Sequence, residues 1–111
     1  MLNTMNADKR RRLEAQGWKF GSAQDFLNLT EEDVEYIELH LSLAALLTKR
    51  RKSLRYTQTE VADLIGSSQS RVAKMEAGDP SVSIDLLIRT LLALGMNRGQ
   101  VGRAIGATAS A

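Results

Sequence analysis

Residues 57–78, TQTEVADLIGSSQSRVAKMEAG, set a glycine between two short stretches of helical periodicity, and that arrangement leaves room for little except a tight pair of helices. Thr57 is an N-cap residue type, and Glu60 follows three positions later as its capping-box partner. Val61, Ala62, Leu64 and Ile65 then recur at helical spacing until Gly66 stops the run. Only Ser67 and Ser68 intervene before a second pattern, with Val72, Ala73 and Met75 inward and Gly78 as its stop.

Two short helices joined by so few residues trace the outline of a helix-turn-helix, whose second helix enters the DNA major groove. Any helical hairpin shares that spacing, so the outward residue types carry the distinction. Gln69, Ser70, Arg71 and Lys74 offer amides, hydroxyls and cations that suit base edges and phosphates. A helix that serves only a core more often shows Glu/Lys pairs there.

Thr57-Gln58, Glu60-Val61-Ala62, Gly66, Ser67-Ser68, Met75-Glu76, Gly78 and the later Leu94-Gly95 together resemble the Cro/C1-type (XRE) helix-turn-helix family over residues 46–95. The resemblance implies an all-α fold: a compact bundle of about five helices of the lambda-repressor-like type with a helical N-terminal extension. It divides the chain into an extension over residues 1–34 and a DNA-binding domain over residues 35–107. By the same resemblance Ser68, Gln69, Ser70 and Lys74 face the major groove, and Gln58 clamps a phosphate at a helix N-terminus. Gln69 suits adenine, and Lys74 suits guanine or a phosphate. Arg71 lies at the edge of that face and serves phosphate or bases. Arg51 and Glu76 match a semi-buried ion pair that fixes the angle of the recognition helix. Arg55, in the exposed junction before Thr57, and Ser81, in the loop after the recognition helix, are further phosphate candidates. Asp79 departs from the usually basic character of that loop.

Net charge is only +2, but its distribution is uneven. Residues 1–48 hold five Lys/Arg against eight Asp/Glu, and residues 49–111 hold ten against five. The basic half therefore contains the recognition pattern, as phosphate neutralisation requires. There are no cysteines, so disulfides and thiolate metal sites are excluded, and a reducing compartment is consistent. No apolar run suits a membrane span, and residues 9–12, KRRR, lead into polar sequence rather than a signal-peptide core. The expectation is a cytoplasmic protein.

Along the first half, residues 8–16 suggest one or two helical turns, whose basic run is either a solvated face or an arm touching phosphate. Trp18 and Phe20 sit between two glycines, with Phe26 close behind. These aromatics read as a lid over the next helix or as a partner-binding surface. Thr30 caps a strong helix start, with Glu31, Glu32 and Asp33 in its first turn. The apolar stripe from Val34 to Leu47 is wide enough to cover more than one surface, and the pattern reaches about Ser53. His40 is the sole histidine and reads as packing or surface. Ser83 and Asn97 are cap residues for two further helices.

No Ser-His-Asp context, HExxH or GxxxxGK[ST] pattern is present, so no enzyme and no cofactor are expected. The first functional expectation is a sequence-specific regulator, a dimeric repressor on double-stranded operator DNA. The alternative follows from a second resemblance, to HigA-like antitoxins, in which such a domain follows an extension with a GWKFG-type stretch. That resemblance implies a small, basic toxin partner of the RelE/HigB RNase type, which the acidic first half would complement.

Overall fold

The computed structural model describes residues 7–15 and 28–108. Trp18, Phe20 and Phe26 lie outside the described residues, as does the choice between lid and partner surface that rests on them. Six helices run through the described residues: α1 (Ala7–Ala15), α2 (Glu31–Ser53), α3 (Gln58–Ile65), α4 (Gln69–Glu76), α5 (Ile84–Ala93) and α6 (Arg98–Thr108). The all-helical bundle expected from the sequence is the architecture observed.

Local chemistry begins these helices where the sequence places their caps. The Thr30 hydroxyl accepts from the Asp33 amide at 3.0 Å while the Asp33 carboxylate accepts from the Thr30 amide, also at 3.0 Å. Thr57 and Glu60 close the same reciprocal box on α3, and Asn97 and Gln100 close one on α6. Ser68 and Ser83 each satisfy one amide of the first turn of α4 and α5.

The helix ends are equally uniform, with one exception. α3, α4 and α5 each close through a residue with positive φ, namely Gly66 at 67°, Gly78 at 75° and Gly95 at 91°. In each, the amide of the following residue reaches back to the carbonyl five positions earlier, as Ser67 does to Ala62 at 2.8 Å. α2 ends with the same pair of bonds, Arg55 N–H to Lys52 O and Tyr56 N–H to Arg51 O, but its left-handed residue is Arg55, at φ 62°. A side chain there carries a steric cost that glycine lacks, offset in part by glycine's larger unfolded-state entropy. Arg55→Gly is therefore expected to stabilise the fold by about 0.5–1 kcal/mol. A urea midpoint that fails to rise would contradict the strain argument.

α2, 23 residues and roughly 34 Å long, is the spine. Its second half contributes Leu43 and Leu47 to a core with Val61, Ala62, Val72, Met75, Val82, Leu87, Leu91, Leu94 and Val101. Through these residues α2 packs on α4, α5 and α6, while α3 packs on α4 and α5. The first half of α2 buries Val34 and Ile37 against Leu13 of α1, with Leu29 and Leu41 at the margin. The wide stripe thus covers two separate surfaces, and α1 supplies the second through a leucine that the sequence did not single out.

Candidate nucleic-acid interface

α4 turns Val72 and Met75 inward, fully buried, and leaves Ser68, Gln69, Ser70, Arg71 and Lys74 exposed along one side. Val72 and Met75, three positions apart on α4, share one core with Val61 and Ala62 of α3, so the exposed residues of α4 face away from the core. The Ser68 hydroxyl accepts from the Arg71 amide at 3.2 Å, so this residue starts the helix as well as standing on its exposed end.

Behind that face lies a chain of side-chain hydrogen bonds. Arg51 of α2 grips Glu76 of α4 with two nitrogens, Nε to Oε2 at 2.5 Å and Nη2 to Oε1 at 3.0 Å. Its Nη1 donates to the Tyr56 carbonyl at 2.9 Å, tying the ion pair to the junction before α3. The side chains are 13% and 7% exposed, so the pair is largely shielded from water. Burial pushes the Glu76 carboxyl upward, but the hydrogen bonds from Arg51 and Gln58 outweigh it and hold the group below its ordinary value. The hydrogen bond to Glu76 likewise raises Arg51. The pairing of Arg51 with Glu76 expected from the family resemblance is thus formed. From Glu76 the chain continues outward: Gln58 donates Nε2 to Glu76 Oε1 at 3.1 Å, and Gln69 donates Nε2 to Gln58 Oε1 at 2.7 Å.

The loop between α4 and α5 is folded on itself. Asp79 accepts from the Ser81 amide at 2.8 Å, and this bond, with one from the Ser81 side chain, holds the Asp79 carboxyl below its usual range. Both donors of Ser81, a phosphate candidate from the sequence, are therefore turned to Asp79. The same loop is anchored from behind by His40, which is 1% exposed and whose Nε2–H donates to the Val82 carbonyl at 2.6 Å. His40 is accordingly a packing residue, and no group of three or more His, Asp or Glu among the described residues is placed to hold a metal ion.

The cations of residues 49–52 divide between two roles. Arg51 turns to Glu76, and Arg50 donates Nε to the Leu94 carbonyl at 3.0 Å, capping the end of α5. At Gly95 the φ of 91° favours glycine, and a Cβ there would stand 3.0 Å from the Arg50 guanidinium, which would have to shift slightly. Lys49, Lys52 and Arg55 remain exposed, Arg55 carried outward by its left-handed backbone.

Residues 47–101 match the helix-turn-helix family model. Over this segment the chain is similar to helix-turn-helix domains. Its match begins inside α2 and ends inside α6, so the family unit takes in only the last turns of the spine and leaves α1 and the acidic start of α2 outside. No curated protein and no solved structure matches the chain. In the helix-turn-helix, α3 is the first helix, residues 66–68 the turn, and α4 the helix that the motif presents to DNA. The domain supports a DNA-binding regulator in general terms. No helix among the described residues is long and apolar enough to cross a membrane.

Proposed function

We propose that the protein is a sequence-specific transcriptional regulator that binds operator DNA as a dimer and acts as a repressor. The observation that carries this reading is the exposed side of α4, where Gln69, Ser70, Arg71 and Lys74 stand together on a helix locked in place from behind. Ser68, Gln69, Ser70 and Lys74 read bases, while Gln58, Arg55 and Arg71 contact phosphate; Ser81 would join them only by giving up its bonds to Asp79. In a dimer the two recognition helices would lie about 34–36 Å apart, one turn of DNA. The repressor acts by occluding a promoter.

Gel-shift titration against the DNA upstream of the protein's own reading frame, repeated over a range of salt, tests this. The expected result is a palindromic footprint with affinity falling steeply as salt rises. Gln69→Ala should weaken specific binding by about 1–3 kcal/mol and leave non-specific binding nearly intact. Equal losses on all sequences would remove the base-reading role from Gln69.

A second reading adds a protein partner, the antitoxin role in which a small basic RNase is neutralised and the operon is autorepressed. Its support is the start of α2, where Glu31, Glu32 and Glu35 are exposed beside Tyr36, itself 52% exposed and outside the segment matched by the family model. Co-expression of the protein with the product of the adjacent reading frame tests it: relief of that product's toxicity supports the antitoxin role, and no effect argues for a free-standing regulator.

A further inference from the structure

We propose that Asp79 makes Lys74 a reader of guanine rather than a phosphate contact, by standing beside it as a fixed counter-charge where the recognition helix ends. The inference rests on the reading of α4 as the helix that enters the major groove.

The two residues are neighbours because of the way α4 closes. A left-handed residue at a helix end turns the next residue back over the last turn, beside the residue five positions earlier, and an apolar contact commonly fills that place. α5 follows the rule: the Met96 amide bonds the Leu91 carbonyl at 3.2 Å, and both residues are apolar. On α4 the same closure, through Gly78, sets the Asp79 amide 3.1 Å from the Lys74 carbonyl. Opposite charges thus stand where apolar side chains are the rule.

The Asp79 charge is held in position. Its carboxylate accepts from the Ser81 amide at 2.8 Å, and His40 anchors the end of the loop through the Val82 carbonyl at 2.6 Å. The bonds from Ser81 are the chief reason that the carboxyl is held low, and the Lys74 charge adds to them, so the group is ionised at neutral pH. Nor does the surrounding chain offset it. Between Lys74 and Arg89 the sequence has Glu76, Asp79 and Asp85 but neither lysine nor arginine.

A lysine ammonium has no geometric preference between a phosphate oxygen and a base acceptor. The helix of such a motif touches bases with its N-terminal residues, which leaves its far end, here Lys74 and the loop, toward the groove rim where phosphates stand. A phosphate drawn to Lys74 there brings a full negative charge toward the Asp79 carboxylate. Guanine N7 and O6 are neutral acceptors and meet no such repulsion. Asp79 therefore penalises one class of acceptor and spares the other, which is specificity by exclusion. Asp79 is a positioning residue in this account, since it acts through Lys74.

The test uses an operator selected by the native protein from randomised DNA, with each base pair then varied in turn. Lys74→Ala should abolish the preference at one G·C pair, about 5–100-fold in the native protein. If no preference is lost, Lys74 does not read bases and the proposal fails with that reading. Asp79→Asn removes the charge and keeps a carbonyl oxygen for the Ser81 amide, so circular dichroism should be native. In this variant the preference at the same pair should fall at least about threefold while preferences elsewhere hold. Its salt slope should steepen by about one, as Lys74 gains a phosphate. Adding Lys74→Ala to Asp79→Asn should cancel the steepening. Full guanine preference in Asp79→Asn would overturn the proposal and leave base reading by Lys74 standing. So would a steepening that persists without Lys74, because Asp79 would then act on phosphate directly.

Discussion

Replacing Glu76 with alanine is expected to lower stability by about 2–4 kcal/mol, a large fraction of what a domain of this size possesses. The substitution strands the Arg51 guanidinium, which has only 13% of its side chain exposed and keeps its bond to the Tyr56 carbonyl. It also leaves the Gln58 NH2 facing the vacated space. An intact ion pair of this kind is worth less than its removal costs, because burial already penalises both charges and only their contact repays it. The small residual exposure lets water reach Arg51 in part, which sets the figure below that for a fully enclosed pair. Urea unfolding of the variant at neutral pH checks the magnitude; a loss under about 1 kcal/mol would mean that the pair behaves as a surface bridge.

The pH dependence gives an independent check. Glu76 is held below its ordinary value of 4.5 in the folded protein, so the unfolded chain takes up a proton first as pH falls. The pair's contribution is therefore fully present above 4.5 and is lost as pH drops through the lower folded value. Arg51 is raised above its ordinary range and stays charged throughout this window. Asp79, also held low, adds a contribution of the same sign. Stability of the native protein should decline on the acid side more than that of Glu76→Ala, and parallel curves would assign the decline to other carboxylates.

His40→Ala carries the other large expected effect, about 2–5 kcal/mol. The imidazole is 1% exposed, so its removal opens a cavity in which the neighbours relax only partly. The Val82 carbonyl, on a residue 3% exposed, loses a 2.6 Å hydrogen bond across 42 residues of sequence. His40→Phe separates the two causes, since it restores ring volume without the donor. It should recover the packing share and retain a deficit of about 1–3 kcal/mol from the lost bond. A Phe variant as stable as the native protein would show that the carbonyl finds another donor. Because Val82 ends the loop that contains Asp79 and Ser81, loosening of residues 79–82 in hydrogen exchange should accompany either loss.

The features legible in the sequence are those whose partners lie three to five residues away. Thr30, Thr57, Ser68, Ser83 and Asn97 begin helices because a side-chain oxygen reaches an amide three positions ahead, a distance set by helix geometry alone. Gly66, Gly78 and Gly95 end them because the closing turn needs a left-handed residue, and the periodicity of Val61, Val72, Met75, Leu87 and Leu91 marks the buried sides. Arg51 with Glu76 was legible only through a family resemblance, since 25 residues separate them.

What the tertiary structure alone decided is every contact that depends on how one helix crosses another. Leu13 against Val34 and Ile37, Arg50 on the Leu94 carbonyl, His40 on the Val82 carbonyl, and Gln69 on Gln58 leave no periodic trace. Arg55 in a left-handed turn runs against the local rule altogether. Local chemistry determined where the helices are and which sides they bury. The packing angles then determined which polar side chains meet behind the exposed side of α4, because a shift of one helical position would carry Gln58 out of reach of both Gln69 and Glu76.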